Sequence, residues 1–154
     1  MSMLEAREQN VVEAINKRSV RLAVVGCGYV GLPTAVLFAN AGFQVVAIDV
    51  KPELVNAINS GVSPLKEPGL SELVSRNVRA GRLKATLSYE AITQSDAVII
   101  SVQTPLNNSR KPKLSYLMKA LKELGKNLKR DIIIVVSSTI PPGTMNERVK
   151  PTLE

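Results

Sequence analysis

Gly26, Cys27, Gly28, Tyr29, Val30 and Gly31 spell G-x-G-x-x-G. Glycines at this spacing clear side chains from a turn, so that main chain can meet a ligand. The first permits the tight bend, the second lets backbone approach a pyrophosphate, and the third lets the next helix lie close on its strand. Amides at the start of that helix then face the anion, aided by the helix dipole. The spacing alone is a weak signal; it needs a strand before it and a helix after it. Asp49 stands 18 residues beyond Gly31. A carboxylate ending the second strand accepts hydrogen bonds from ribose hydroxyls and repels a 2′-phosphate, so the expected cofactor is NAD rather than NADP. Lys51 lies close enough to complicate that choice, and a plain glycine turn with a surface acid is the competing reading.

Other reactive groups are scarce. Cys27 is the single cysteine, and there is no histidine. An internal disulfide, a cysteine-rich zinc site and the Ser-His-Asp and Cys-His arrangements are thereby excluded, and no metal site is expected. A helix N-terminus lowers a thiol pKa, which gives Cys27 a conceivable reactivity. No base accompanies it, however, and it reads as a small residue facing the sheet or the cofactor. One cysteine fits a reducing, cytoplasmic setting.

Holding these groups takes a strand, a turn, a helix and a second strand. Residues 21–25 (RLAVV) form a short apolar run ending in the glycines, as a buried strand does. Residues 30–41 read as a helix with Pro33 in its first turn and Gly42 at its stop. Residues 44–49 (QVVAID) read as the second strand, 52–60 as a helix opened by Pro52, 63–69 (SPLKEPG) as a loop and 70–80 as a helix. Strands follow at 83–87, 97–102 (AVIISV) and 131–137 (DIIIVVS), with about one helical turn at 89–93 and a loop over 103–114. A helix over 115–128 has Leu114, Leu117, Met118, Leu121, Leu124 and Leu128 at helical spacing. After a turn at 141–143, another helix begins over 144–150. Alternating helices and strands apolar on both faces imply an α/β fold: a doubly wound parallel sheet of Rossmann type, covered on both sides. Residues 21–154 form this domain, and residues 1–20 form an N-terminal helical extension. Its helix, over 2–18, has Leu4, Val11, Val12 and Ile15 on one side and is expected to pack on the domain.

The chain has 154 residues, about one domain, with 45% apolar and 21% charged residues, so disorder is excluded. No apolar run reaches the roughly 20 residues of a membrane span. The polar start, with Glu5, Glu8 and Glu13, does not read as a signal peptide. The formal charge of +7 invites a nucleic-acid reading. The excess is local: Arg110, Lys111, Lys113, Lys119, Lys122, Lys126, Lys129 and Arg130 face Glu123 alone. Tyr116 is the one aromatic in that stretch, so single strands find no stacking platform. A solvated basic helix face is expected, with neither a nucleic-acid nor a membrane partner.

Four runs together resemble the nucleotide-sugar 6-dehydrogenases. They are VVGCGYVGLPTAVLFANAGFQVVAIDV, NAINSGVSPLKEPGLSELV, SDAVIISVQTPL and SSTIPPGT, in that order. The family includes UDP-glucose, GDP-mannose and UDP-N-acetylmannosamine dehydrogenases, and the resemblance runs from about Arg21 to Lys150. It implies oxidation of a sugar C6 alcohol through an aldehyde to a carboxylate, with two NAD and a cysteine thiohemiacetal and thioester. It also implies a role in polysaccharide biosynthesis, a nucleotide-sugar substrate and a homodimer. The family's nucleophilic cysteine, a lysine and an asparagine lie in a later domain, and this sequence ends at Glu154. This chain by itself is therefore expected to be inactive, an NAD-binding domain from a longer enzyme.

The resemblance places Gly26, Gly28, Tyr29, Val30 and Gly31 at the pyrophosphate, Asp49 at the adenosine ribose and Thr86 near the adenine. It places Val102, Gln103 and Thr104 near the nicotinamide half and makes Thr139 a cofactor-side threonine. Thr104 and Glu147 match auxiliary catalytic positions beside the hydrolytic water. Two departures stand out. Leu54 occupies a position where many members have a basic residue, and Ser137-Ser138-Thr139 replaces E-S-T. For several of these residues a plain reading stays open: Thr104 as a strand end before Pro105, Glu147 as a surface acid in a first helical turn, and SPLKEPGL as a rigid turn rather than a border of the sugar-nucleotide cleft. An NAD-sensing module without turnover and a hydroxyacid or 3-hydroxyacyl dehydrogenase domain are the alternatives. The SPLKEPGL and SSTIPPGT runs speak against the latter.

Overall fold

The computed structural model describes residues 3–154, with side chains from Asn10 onward. The expected helix start at Ser2 and the side chain of Leu4 lie outside the described residues. Five apolar runs form strands: β1 (Arg21–Val25), β2 (Gln44–Ile48), β3 (Leu83–Thr86), β4 (Ala97–Ile100) and β5 (Ile133–Val136). All pair in parallel, in the order β3-β2-β1-β4-β5. The expected doubly wound α/β sheet forms. Val25, at the end of β1, lies between Ile48 of β2 and Ile100 of β4. Strand order reverses between β1 and β4, and in such sheets the ligand crevice opens there, outside the carboxyl ends of the strands.

The helices are α1 (Met3–Asn16), α2 (Gly31–Asn40), α3 (Pro52–Asn59), α4 (Leu70–Arg79), α5 (Ser115–Gly125) and α6 (Lys150–Leu153). A 3-10 segment spans Tyr89–Gln94. Each sheet face has its own core. On one face, Leu32, Ala35, Val36 and Ala39 of α2 and Val55 and Ile58 of α3 pack on Leu22, Val24, Val45, Ala47 and Leu83. On the other, Leu117, Leu121 and Leu124 of α5 are fully buried with Ala23, Val25, Val98 and Ile100. Truncating one of these leucines to alanine costs about 2–5 kcal/mol, a large part of a domain's net stability.

Two polar devices finish the sheet. The Asn59 carboxamide donates to Ala85 O at 2.9 Å and accepts from Ala85 N–H at 2.8 Å. It thus occupies both main-chain groups that Ala85 turns away from β2. Asp96 accepts from Arg21 N–H at 2.9 Å and from the Lys129 ammonium at 3.0 Å, fixing the start of β1. Burial alone would raise the Asp96 pKa, but these two donors and their charges hold it below the usual carboxylate range.

Five expectations need correction. β2 to β5 stop one or two residues early, so Asp49, Leu87, Val102 and Ser137 lie just past them. α5 ends at Gly125 rather than at residue 128. The segment after Thr144 opens as a π-type turn, Met145–Val149, before α6. Coverage of the sheet is also incomplete. Ile133 and Val135 of β5 are 52% and 47% exposed, because α2, α3 and α4 lie over β1 to β3 on that face. In α1, Val11, Val12 and Ile15 remain exposed instead of packing on the domain. Lys119 and Lys122 lie in solvent and Lys126 pairs with Glu123, the arrangement of a solvated basic face. Among the described residues, no helix is long and apolar enough to cross a membrane, and no three His, Cys, Asp or Glu side chains cluster as metal ligands.

Candidate dinucleotide site

β1 delivers the chain to the glycine turn at Val25. Gly26 N–H donates to Ile48 O, and Ser101 N–H to Val25 O, both at 2.8 Å, so the turn is tied to both neighbouring strands. Gly26 holds φ at +95°, and a Cβ there would lie 2.6 Å from Ser101 O. A Cβ on Gly31 would lie 1.7 Å from Gly26 O. The fold itself requires these two glycines: one bends the chain against the end of β4, and the other lets α2 settle on the turn.

Gly28 is different. A Cβ there meets nothing within 4 Å, and its φ is not positive. Neither crowding nor strain inside the protein accounts for a glycine at this position. The bare backbone there lies open to a ligand. The amides of Gly28, Tyr29, Val30 and Gly31 find no acceptor among the described residues. No acidic residue sits in the first turn of α2, and no side chain caps it. The positive end of the helix dipole is therefore uncompensated beside these four donors. An anion fits this cradle.

Asp49 flanks it. Its Oδ2 accepts from Cys27 N–H at 2.7 Å and its Oδ1 from Lys51 N–H at 3.0 Å. Two backbone donors thus hold the half-buried carboxylate against the turn, and each oxygen keeps lone-pair capacity for a hydroxyl. Asp49 N–H donates to Thr86 O at 3.2 Å, and Thr86 Oγ1 accepts from Ser88 N–H at 3.1 Å, so Thr86 shares this end of the crevice. Tyr89, which the motifs did not single out, stands close by. Burial, then the charges of Asp49 and Glu123, raise its phenol pKa and keep it protonated. Cys27 points into the core rather than the crevice. Burial first, and Asp49 second, push its thiol up to about 12, which removes the conceivable reactivity. Leu54 packs on the same core and offers nothing to a phosphate.

Val102, Thr104 and Thr139 come together on the side of the turn away from Asp49. Ser138 Oγ donates to Val102 O, and Thr104 Oγ1 donates to Thr139 O, each at 2.8 Å. Gln103, between them, is exposed. Ser138 falls within the SSTIPPGT run, where the resemblance gives it no role; its contact is with a residue 36 positions away. Glu147 does not join this group. Its carboxylate folds back over Gly143, 2.9 Å from where a Cβ of that glycine would sit. It lines a separate hollow of about 500 Å3 with Pro112, Met118, Pro141, Pro142 and Arg148. A second hollow, about 710 Å3 beside Gly61 and α4, also lies away from the turn. The remaining candidates follow the strand order along the carboxyl edge: Thr86, Asp49, the glycine turn, then Val102 and Thr104, then Thr139.

The profile of the UDP-glucose/GDP-mannose dehydrogenase family, NAD binding domain, matches residues 20–154. The chain belongs to this family. A UDP-N-acetyl-D-mannosamine dehydrogenase of Pyrococcus horikoshii is 40% identical over 131 residues, which is 85% of this chain and 31% of that protein. A UDP-glucose 6-dehydrogenase of Bacillus subtilis is 38% identical over 126 residues, 81% of this chain and 29% of that protein. The structure of a GDP-mannose dehydrogenase from Pseudomonas aeruginosa superposes with a TM-score of 0.85 at 34% identity, covering 88% of this chain and 32% of that one. The chain thus spans about a third of the length of the relatives it matches. NAD is the cofactor of this family domain. The chain's own geometry suits it, with unpaired amides and open space for a diphosphate and a held carboxylate beside them for the adjoining sugar.

Proposed function

We propose that residues 21–154 hold NAD for an enzyme that oxidises the C6 hydroxyl of a nucleotide sugar to a carboxylate, with residues 1–20 as a helical extension. The observation that carries the cofactor reading is the open space at Gly28, in a turn where the amides of residues 28–31 are unpaired and which Asp49 flanks. Bound in this crevice, NAD would supply the hydride acceptor. The chain's residues bind and orient. The amides of 28–31 neutralise the pyrophosphate, Asp49 accepts from the adenosine ribose, and Thr86 borders the adenine. Val102, Thr104 and Thr139 border the nicotinamide half. Thr104 also serves, with Glu147, to place a hydrolytic water. Glu147 would have to turn away from Gly143 to do so.

Membership of the family and the identity with UDP- and GDP-sugar dehydrogenases support the substrate class. Covalent catalysis is not assigned to this chain, since its one thiol is buried and protonated. By itself the chain binds NAD without oxidising a nucleotide sugar. The whole enzyme is read as a cytoplasmic homodimer that supplies sugar acids to polysaccharide biosynthesis, without a nucleic-acid or membrane partner. The test is calorimetric titration of NAD and NADP into the chain and into Asp49→Ala. NAD should bind more tightly than NADP. The substitution should weaken NAD by about 1–3 kcal/mol and narrow the gap between the two. Equal affinities before substitution, or an unchanged NAD affinity after it, contradict the assignment.

A further inference from the structure

We infer that Ser138 is a positioning residue for the nicotinamide half of the crevice; the inference rests on the NAD reading above. The main-chain ladder between β4 and β5 ends where Ser137 N–H donates to Ile100 O at 2.8 Å. Beyond it the two segments run into Pro105, Pro141 and Pro142, which have no N–H to give. Two side-chain bonds take over, and they cross in opposite directions. Ser138 Oγ donates to Val102 O from the β5 side, and Thr104 Oγ1 donates to Thr139 O from the β4 side. Ser101, immediately before this segment, packs against Gly26 so closely that no Cβ fits between them. Residues 102–104 therefore emerge directly beside the pyrophosphate turn, across it from Asp49.

This clasp has a chemical consequence. A hydroxyl has one proton, and that of Thr104 is committed to Thr139 O, so Thr104 Oγ1 offers a ligand only an acceptor. A carboxamide NH2 suits it; a carbonyl oxygen does not. Ser138 touches no ligand in this scheme. It tethers Val102, and through Val102 it keeps Thr104 within reach of Thr139. Deleting its hydroxyl removes one of two tethers. The effect should fall on the half of a dinucleotide lying past the turn and leave the adenosine end at β2 and β3 unchanged.

The experiment is calorimetry of the chain, Ser138→Ala and Ser138→Cys with NAD and with ADP-ribose, which lacks the nicotinamide. Ser138→Cys fills the same space with a weak donor and serves if the alanine variant has a lowered melting temperature. The expected result is a loss of about fivefold in NAD affinity, the scale of one hydrogen bond, with ADP-ribose changed less than about twofold. Equal losses on both ligands, or an unchanged NAD affinity, overturn the inference. Absence of binding of either ligand by the unaltered chain overturns the NAD reading itself, before Ser138 enters.

Discussion

Replacing Gly28 and Gly31 by alanine, one at a time, separates what the ligand requires from what the fold requires. At Gly28 the added methyl meets nothing within 4 Å, and the backbone conformation suits an L residue. The unfolded chain loses freedom, so Gly28→Ala should be neutral or gain about 0.4–1 kcal/mol. That methyl would occupy open space at the turn that carries the unpaired amides. Losing one hydrogen bond to a charged group costs about 1.5–3 kcal/mol, or about 10- to 150-fold in the dissociation constant for NAD. At Gly31 the methyl would sit 1.7 Å from Gly26 O, a main-chain atom that cannot yield without moving the turn. Gly31→Ala should therefore lose about 3 kcal/mol or more of stability, the upper end for overpacking. Urea unfolding reads the stability and calorimetry reads the binding. Unchanged NAD affinity in Gly28→Ala, or equal destabilisation by both changes, would refute the reasoning.

Asn59→Ala strips Ala85 of two partners at the outer edge of β3, a loss of about 1–3 kcal/mol in urea unfolding. The bared edge should also raise self-association, measured by light scattering. Native Cys27 should resist a disulfide reagent at pH 8 and react fully once the chain is unfolded. Its thiol is held protonated in the fold, with a pKa raised from 9.0 to about 12. The stabilising contribution is thus complete below pH 9 and declines as pH rises towards 12, by about 1.4 kcal/mol per unit. Comparison with Cys27→Ser isolates that alkaline loss from the titration of lysines.

Local order carried most of the legible information. The run RLAVV, the glycine turn and Asp49 declare a strand, a bend and an acid within 29 residues, and the structure builds them in that order. The leucines of α5 were equally plain, because helical spacing marks one face. Whatever depends on distant partners was not legible. Apolar residues at Ile133 and Val135 look like a covered strand, but which helices cover a face is decided by topology, and none of the described helices lies there. The two hydrogen bonds between Asn59 and Ala85 join residues 26 apart, and the one between Ser138 and Val102 joins residues 36 apart. Neither leaves a periodic trace. The glycines also divide in a way that spacing alone cannot reveal, since Gly26 and Gly31 answer to the fold and Gly28 to open space.

Amide NMR spectra recorded across an NAD titration test the central claim most directly. The largest shifts should fall on Gly28, Tyr29, Val30 and Gly31, whose N–H groups lack partners, with Cys27 and Lys51 following because both donate to Asp49. Spectra in which those six amides stay still while NAD binds elsewhere, for instance along the basic stretch from Arg110 to Arg130, would contradict the account.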